Sequence, residues 1–232
     1  MPRGEEKKIA NKTLLRIPLF VILQAVILFV SAGRIDIPRA WIFIGIISLQ
    51  YSISFLILYK FNPDLIIQRA RGIRQDTKSW DKVLMPLGVI MSYVVLVVIG
   101  LDIGRFGWSG LSIDFAFLGL MLFAINSILG TWAVITNPHF EPTVRIQNDR
   151  NHQVITTGPY KIVRHPGYLA AILAPISFCF IIGSLYGLIP TGMIILLLII
   201  RTSLEDKTLR NELKGYPEYA QRVKYRLLPG IW

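Results

Sequence analysis

The residue types able to do chemistry in this chain are crowded into two stretches. From Asn137 to Tyr168 lie His139, Glu141, Arg145, Gln147, His152, Tyr160, Arg164, His165 and Tyr168, and beyond a long apolar tract follow Arg201, Glu205 and Asp206. Elsewhere polar side chains are sparse, so this ensemble is read as a site rather than as scattered helix caps or headgroup contacts. Arg201 and Glu205 are four residues apart, which on a continuous helix puts a cation and an anion on one face. Such a pair either holds opposite ends of a polar ligand or satisfies itself. His165 precedes Pro166, which forces an extended residue before the ring and suits Pro166 to the first turn of a helix.

Some chemistries are excluded at once. With three histidines and the single Cys179, no pair of cysteines has zinc-ligand spacing, so no metal is expected, and Cys179, inside an apolar run, is read as inert packing. Gly104-Arg105-Phe106-Gly107-Trp108-Ser109-Gly110 has the glycines of a phosphate loop but no preceding strand, and is read as a turn with an interfacial Trp. The net charge of +11 on 232 residues favours an anionic partner. Hydrophobic residues at 53% and a mean hydropathy of +0.53 are too apolar for a soluble nucleic-acid-binding domain and rule out disorder.

The elements that must position the polar stretches are membrane helices. Apolar runs at roughly Leu14 to Gly33, Pro38 to Tyr59, Val83 to Leu101 and Asp114 to Thr136 each have the ~20 residues needed to cross about 30 Å of hydrocarbon. A fifth tract, Tyr168 to Ile200, is too long for one crossing, and Gly183-Ser184-Leu185-Tyr186-Gly187 followed by Pro190 marks a tight turn, so it is read as a helical hairpin. The first run is too long for a signal-peptide core and is taken as the first span.

The fold class predicted is therefore all-α, an integral membrane protein of about six spans. Residues 1–136 would form the first four helices with a basic loop, and 137–232 the catalytic region. Only Arg34, Arg39 and Arg105 of the 25 Lys and Arg fall in the even-numbered connections, which predicts both termini and the polar stretches on the cytoplasmic side. Between spans two and three, apolar positions 65, 66, 70 and 73 interleaved with arginines fit either a short interfacial helix on an anionic leaflet or a solvated basic loop.

The run Gly158-Pro159-Tyr160-Lys161-Ile162-Val163-Arg164-His165-Pro166-Gly167-Tyr168, the later Glu205-Asp206-Lys207-Thr208-Leu209, Gly215-Tyr216-Pro217-Glu218-Tyr219 and the closing Leu227-Leu228-Pro229-Gly230-Ile231-Trp232 together resemble the isoprenylcysteine carboxyl methyltransferase family. The resemblance runs from Arg145 to Trp232. It implies a membrane-embedded methyltransferase without a Rossmann domain that uses S-adenosylmethionine (SAM). By the same resemblance, cofactor contacts fall on Gln147, His152, Gln153, Val154, Ile155, Tyr160, His165, Pro166, Gly167, Tyr168 and Glu205, and substrate contact on Arg201. This chain has Glu205-Asp206 where the family carries two glutamates.

Methyl transfer to a carboxylate needs no general base, because the acceptor is already ionised at neutral pH. Positioning and partial desolvation are then the main requirements. Arg201 is expected to hold the acceptor carboxylate and Glu205 a polar part of SAM, with a cytoplasmic opening for SAM and a lateral opening, between the hairpin and an earlier span, for a prenylated or other lipid-linked acceptor. Three alternatives remain at this level: methylation of a phospholipid amine, an NADPH-dependent sterol-type reductase, against which the acidic residues 205 and 206 argue, and a non-catalytic membrane scaffold.

Overall fold

The structure is a computed structural model that describes residues 4–232, with the side chains of residue 9 and of residues 11 onward; the N-terminal charges at Arg3, Lys7 and Lys8 lie outside the described side chains. Eight α-helices follow in order: α1 (Gly4–Ala32), α2 (Pro38–Phe61), α3 (Pro63–Ala70), α4 (Asp81–Gly100), α5 (Ile113–Thr136), α6 (Pro166–Ile182), α7 (Leu188–Glu212) and α8 (Tyr216–Arg222). No strand occurs among the described residues. In a medium without water, helices satisfy every backbone group internally, which is why an apolar sequence of this kind folds in this way.

Among the described residues, five helices are long and apolar enough to cross a membrane: Asn11–Ala32, Pro38–Phe61, Asp81–Phe106, Ile113–Thr136 and Leu188–Glu212. The sixth apolar helix, α6, has 17 residues, about 25 Å at 1.5 Å per residue, at the short end of what spans hydrocarbon. The hairpin forms as expected: Gly183, at φ +105°, ends α6, and Pro190 sits in the first turn of α7, where its missing N–H costs nothing. Leucine, isoleucine and valine side chains point outward along most of the helices, including Leu15, Leu19, Val30, Leu56, Val83 and Ile128. That is the inverse of a soluble core and the expected exterior for lipid. The inner core joins α1, α2, α4, α6 and α7 through Leu28, Phe43, Ile47, Val95, Ile99, Ile181 and Ile194.

Polar residues gather at the two ends of the bundle. At one end, Arg39 donates to the carbonyls of Phe180, Ile181 and Leu111, capping the end of α6. Beside it a π-helical turn, Leu101–Phe106, extends α4 and carries the buried Asp102, which accepts from the Ser109 amide at 2.8 Å and from the Ser109 and Ser184 hydroxyls. Trp108 stacks between Phe106 and Tyr186 there, in the manner of an interfacial aromatic.

The other end holds the segment from Asn62 to Trp80, the segment from Asn137 to His165, and the chain after Arg201. Of the two readings left open between spans two and three, a short helix forms: α3, capped by the Asn62 side chain on the Leu65 amide. Its Leu65, Ile66, Ile67 and Gln68 are all buried and it packs on α1 and α2, so it is built into the protein rather than resting on a lipid surface. The strong amphipathy that reads as a membrane-surface helix is spent on protein contact instead.

Candidate active site

The Asn137 to His165 segment has little regular structure and is held by charge. Arg145, buried, forms a two-point ion pair with Glu141 (2.8 and 3.0 Å) and bonds Asp149 and Asp76 at 2.7 and 2.9 Å, joining the Asn62 to Trp80 loop to the polar segment. These carboxylates raise the Arg145 pKa, so the guanidinium is permanently charged. Arg150 reaches back to Asp64 at the start of α3 and donates to Gln147 Oε1 at 2.6 Å. Gln147, also buried, donates Nε2 to the His139 carbonyl at 2.7 Å. His152 accepts from the Gln147 amide and packs on His139 with ring centroids 4.5 Å apart. Burial, with the nearby His139, Arg145 and Arg150, holds the His152 pKa down at about 4, so the ring is neutral at physiological pH.

The turn at His165 is clamped from the C-terminal side. The Arg164 and His165 amides donate to the Tyr225 and Arg226 carbonyls at 2.9 Å each, and the Arg226, Leu227 and Leu228 amides converge on the Trp232 carbonyl. The closing Leu-Leu-Pro-Gly-Ile-Trp motif is thus a brace for this turn. Asp206 completes it: wholly buried, it binds Arg164 Nε at 2.7 Å, Arg210 Nε at 3.0 Å, Arg226 Nε at 3.1 Å, the Tyr216 hydroxyl at 3.0 Å and His165 Nε2 at 3.3 Å. Arg164, which also donates to the Val223 and Lys224 carbonyls, is therefore committed to the fold. Sequence alone places Arg164 among the chemistry-bearing residues and Glu205-Asp206 together as one acidic pair. The structure separates them, because adjacent helical residues point about 100° apart: Asp206 turns into the arginine cluster and Glu205 into a cavity.

That cavity, of about 270 Å³, lies between the polar segment and the inner ends of α6 and α7. Its lining includes Gln147, His152, Gln153, Val154, Ile155 and Tyr160 from the segment, His165, Gly167 and Tyr168 from the start of α6, and Arg201 and Glu205 from α7. Of the residues singled out from sequence, Pro166 and Asp206 are not part of the lining; Asp206 is turned into the arginine cluster, and Pro166 is buried at the start of α6. The return of the hairpin brings the two chemical stretches together as expected. Tyr168 donates its hydroxyl to Glu205 Oε2 at 2.5 Å, and the Arg201 guanidinium lies over the Tyr168 ring, 5.4 Å from its centroid. Glu205 Oε1 keeps no hydrogen bond to a described residue.

Arg201 and Glu205 do not pair with each other. Arg201 pairs instead with Asp81, the first residue of α4, through Nε–Oδ1 at 2.6 Å and Nη2–Oδ2 at 3.1 Å, and donates to the Pro142 carbonyl at 2.5 Å. Its Nη1 is left without a bond to a described residue. Asp81 is the residue sequence reasoning missed; the available signal was a carboxylate in the first turn of an otherwise apolar span. Phe140, Tyr216 and Tyr219 were also missed as wall residues. Their aromatic character gave no sign of which way they face. Tyr219 fixes the wall by donating to the Tyr160 carbonyl at 2.7 Å, and Asn137 donates to the Tyr160 hydroxyl at 3.2 Å.

Among the described residues no group of three or more His, Cys, Asp or Glu is arranged to hold a metal ion. The cavity instead offers aromatic faces, one carboxylate with a free oxygen, one guanidinium edge and loop backbone.

Residues 117–211 match the sequence profile of the isoprenylcysteine carboxyl methyltransferase (ICMT) family. Over 54 residues, 23% of this chain, the sequence is 35% identical to probable protein-S-isoprenylcysteine O-methyltransferases from two rice subspecies, Oryza sativa indica and japonica; the matched stretch spans 28% of those proteins' length. The backbone superposes on the structure of the eukaryotic intramembrane Ras methyltransferase ICMT with a TM-score of 0.54, at 18% identity, over 91% of this chain and 74% of that one. The chain thus shares the fold of an integral-membrane enzyme, and the profile match covers most of α5, the polar segment, α6 and nearly all of α7.

Proposed function

We propose that the chain is an integral-membrane methyltransferase that moves a methyl group from SAM to the carboxylate of an S-isoprenylcysteine or similar lipid-linked acceptor, with residues 137–232 as the catalytic region. The observation that carries this reading is the convergence, in one cavity at the membrane-facing end of the polar segment, of Glu205 with a free oxygen, Tyr168 and Arg201. The family match over this same segment supports it.

The donor set fits the cofactor. An α-ammonium and a sulfonium are cationic, and Glu205 Oε1 together with the Tyr168 and Tyr160 rings supplies the anionic and π-rich surfaces that attract cations. An adenosine would lie along Gln153, Val154 and Ile155, which border the cavity, with the His139 and His152 rings packed against each other nearby. When bound, SAM supplies an electrophilic methyl group.

The chain's own residues do the rest by placement. Glu205, fixed by the Tyr168 hydroxyl, orients the cofactor. Arg201, which lines the cavity and is held on one edge by Asp81, keeps Nη1 without a described partner and aligns the acceptor carboxylate. Asp81 also offsets part of the Arg201 charge, so the acceptor anion is oriented without being held so tightly that its nucleophilicity is lost. Exclusion of water by the spans around the inner wall lowers the local dielectric and strengthens the attraction between the acceptor anion and the cationic donor. Arginines bordering the cavity each face a carboxylate (Arg145, Arg164 and Arg201), which makes the site a poor receptor for the extra phosphate of NADPH.

By the distribution of Lys and Arg, the cavity end of the bundle faces the cytoplasm, the side from which SAM arrives. The test is transfer of methyl label from SAM by the purified protein to a farnesylcysteine analogue. A base-labile labelled product supports carboxyl methylation; a base-stable product made only from phospholipid moves the assignment to lipid amines, and binding of NADPH without SAM overturns it.

A further inference from the structure

Beside the cavity runs a second one, a groove of about 260 Å³ between α2, α5 and α6. Phe140, Gly167 and Ala171 line both, so the two spaces touch across the Phe140 ring. That ring occupies the space of the side chain Gly167 lacks: a Cβ on Gly167 would lie 2.4 Å from it. The groove is polar for its depth in the bundle. Gln50 and Ser54 of α2 and Asn126, Ser127 and Thr131 of α5 line it, and the buried Ser127 hydroxyl has no hydrogen-bond partner among the described residues. Polar groups at membrane depth face an interior or a ligand path, and one left unsatisfied is costly.

Arg69, near the end of α3, closes this groove beside Phe140. Arg145, Arg164 and Arg201, which line the neighbouring cavity, and Arg74 and Arg150, which reach its wall residue Glu141, each have a carboxylate within 4.0 Å. Arg69 has none among the described residues. Its described contacts are a long hydrogen bond from Nη1 to the Phe140 carbonyl at 3.5 Å and the Phe140 ring, 5.8 Å from the guanidinium carbon. Most of its five N–H donors therefore remain open. Burial lowers its pKa, as it does for a cation that lacks a compensating anion.

We propose that Arg69 is the anion-recognition residue of this groove, receiving the single oxyanion of a lipid-borne acceptor whose chain lies between α2, α5 and α6, at the boundary with the cavity. This rests on the methyltransferase reading for the identity of the acceptor and deepens it. Arg201 faces the acceptor inside the cavity, and Arg69 selects it before it passes Phe140. A guanidinium binds carboxylate and phosphate alike through two parallel hydrogen bonds, so the chemistry recognised is a terminal oxyanion on a lipid chain.

The full-length protein in nanodiscs of neutral phosphatidylcholine distinguishes the sources. Two ligand pairs are titrated: N-acetyl-S-farnesylcysteine against its methyl ester, and lysophosphatidic acid against monoacylglycerol. The wild type should bind the anionic member of at least one pair about tenfold more tightly than its neutral partner. R69Q should shrink that difference about threefold or more, the remainder being the share of Arg201 in the neighbouring cavity, and R69K should recover part of the loss, while SAM affinity stays constant across the three and reports an intact fold. The pair that shows the effect identifies carboxylate or phosphate as the head recognised. A preference undiminished in R69Q, or no preference in the wild type for either pair, overturns the proposal. Failure of the wild type to bind SAM would instead sink the methyltransferase reading and leave the role of Arg69 to be decided by the ligand pairs.

Discussion

Arg201 on α7 and Asp81 at the start of α4 form a two-point ion pair, 2.6 and 3.1 Å long, across 120 positions of sequence. Asp81 is completely buried and also accepts from the Val144 amide at 2.6 Å, so one carboxylate ties two spans and the polar segment together at the cavity wall. Removing one member of a buried pair leaves the other as an uncompensated charge.

D81N should therefore destabilise the protein by about 3 kcal/mol, and it should also free Arg201 to bind anions more tightly. Thermal unfolding in detergent, with and without the farnesylcysteine analogue, checks both parts. A lowered midpoint that the analogue partly restores is the expected result; an unchanged midpoint would show that the pair does not hold the helices together.

Neighbouring acids should behave differently. Asp206, itself wholly buried, neutralises three arginines and accepts from Tyr216, so D206N should reduce the yield of folded protein. Glu205 bonds only Tyr168, so E205Q should fold normally and lose SAM affinity by tenfold or more, about 1.4 kcal/mol. Size-exclusion profiles and SAM titration separate the two effects, and equal losses of folded protein from both variants would contradict the division of roles.

Acid should loosen the polar segment before it melts the spans. The folded state keeps His152 neutral with a pKa near 4, against 6.5 for a free imidazole, so unfolding takes up a proton between these values and stability falls as pH drops from 6.5 toward 4. Hydrogen exchange at residues 146–153 should accelerate across that window. H152N keeps an acceptor for the Gln147 amide without the titration, and its exchange should depend less on pH.

Orientation is open to direct labelling. Lys161 is exposed at the cavity end and Phe106 at the opposite end, while the native Cys179 is buried. In intact cells, a membrane-impermeant maleimide should modify F106C but not K161C, and permeabilisation should expose K161C. The reverse pattern would place the cavity outside the cytoplasm.

The spans, the hairpin and the sorting of charge to two ends were legible in the sequence because each depends on local quantities: the length of an apolar run against the thickness of hydrocarbon, a Gly-rich turn at the middle of a double-length tract, a count of Lys and Arg in each connection. The motif residues from Gln147 to Tyr168, with Arg201 and Glu205, were legible as a set, and the hairpin alone was enough to predict that they meet.

What only the tertiary structure decided was which charge answers which. Sequence marks Arg164, Arg201 and Arg69 as equal cations and Glu205 and Asp206 as equal anions. Packing spends Arg164 on Asp206, ties Arg201 to an aspartate three helices away, leaves Glu205 with an open oxygen and leaves Arg69 without a described carboxylate. The reason is physical: an apolar helix forms from its own residues, whereas a buried charge takes its partner from whatever the fold brings within about 3 Å, and that distance is fixed only when the helices have packed.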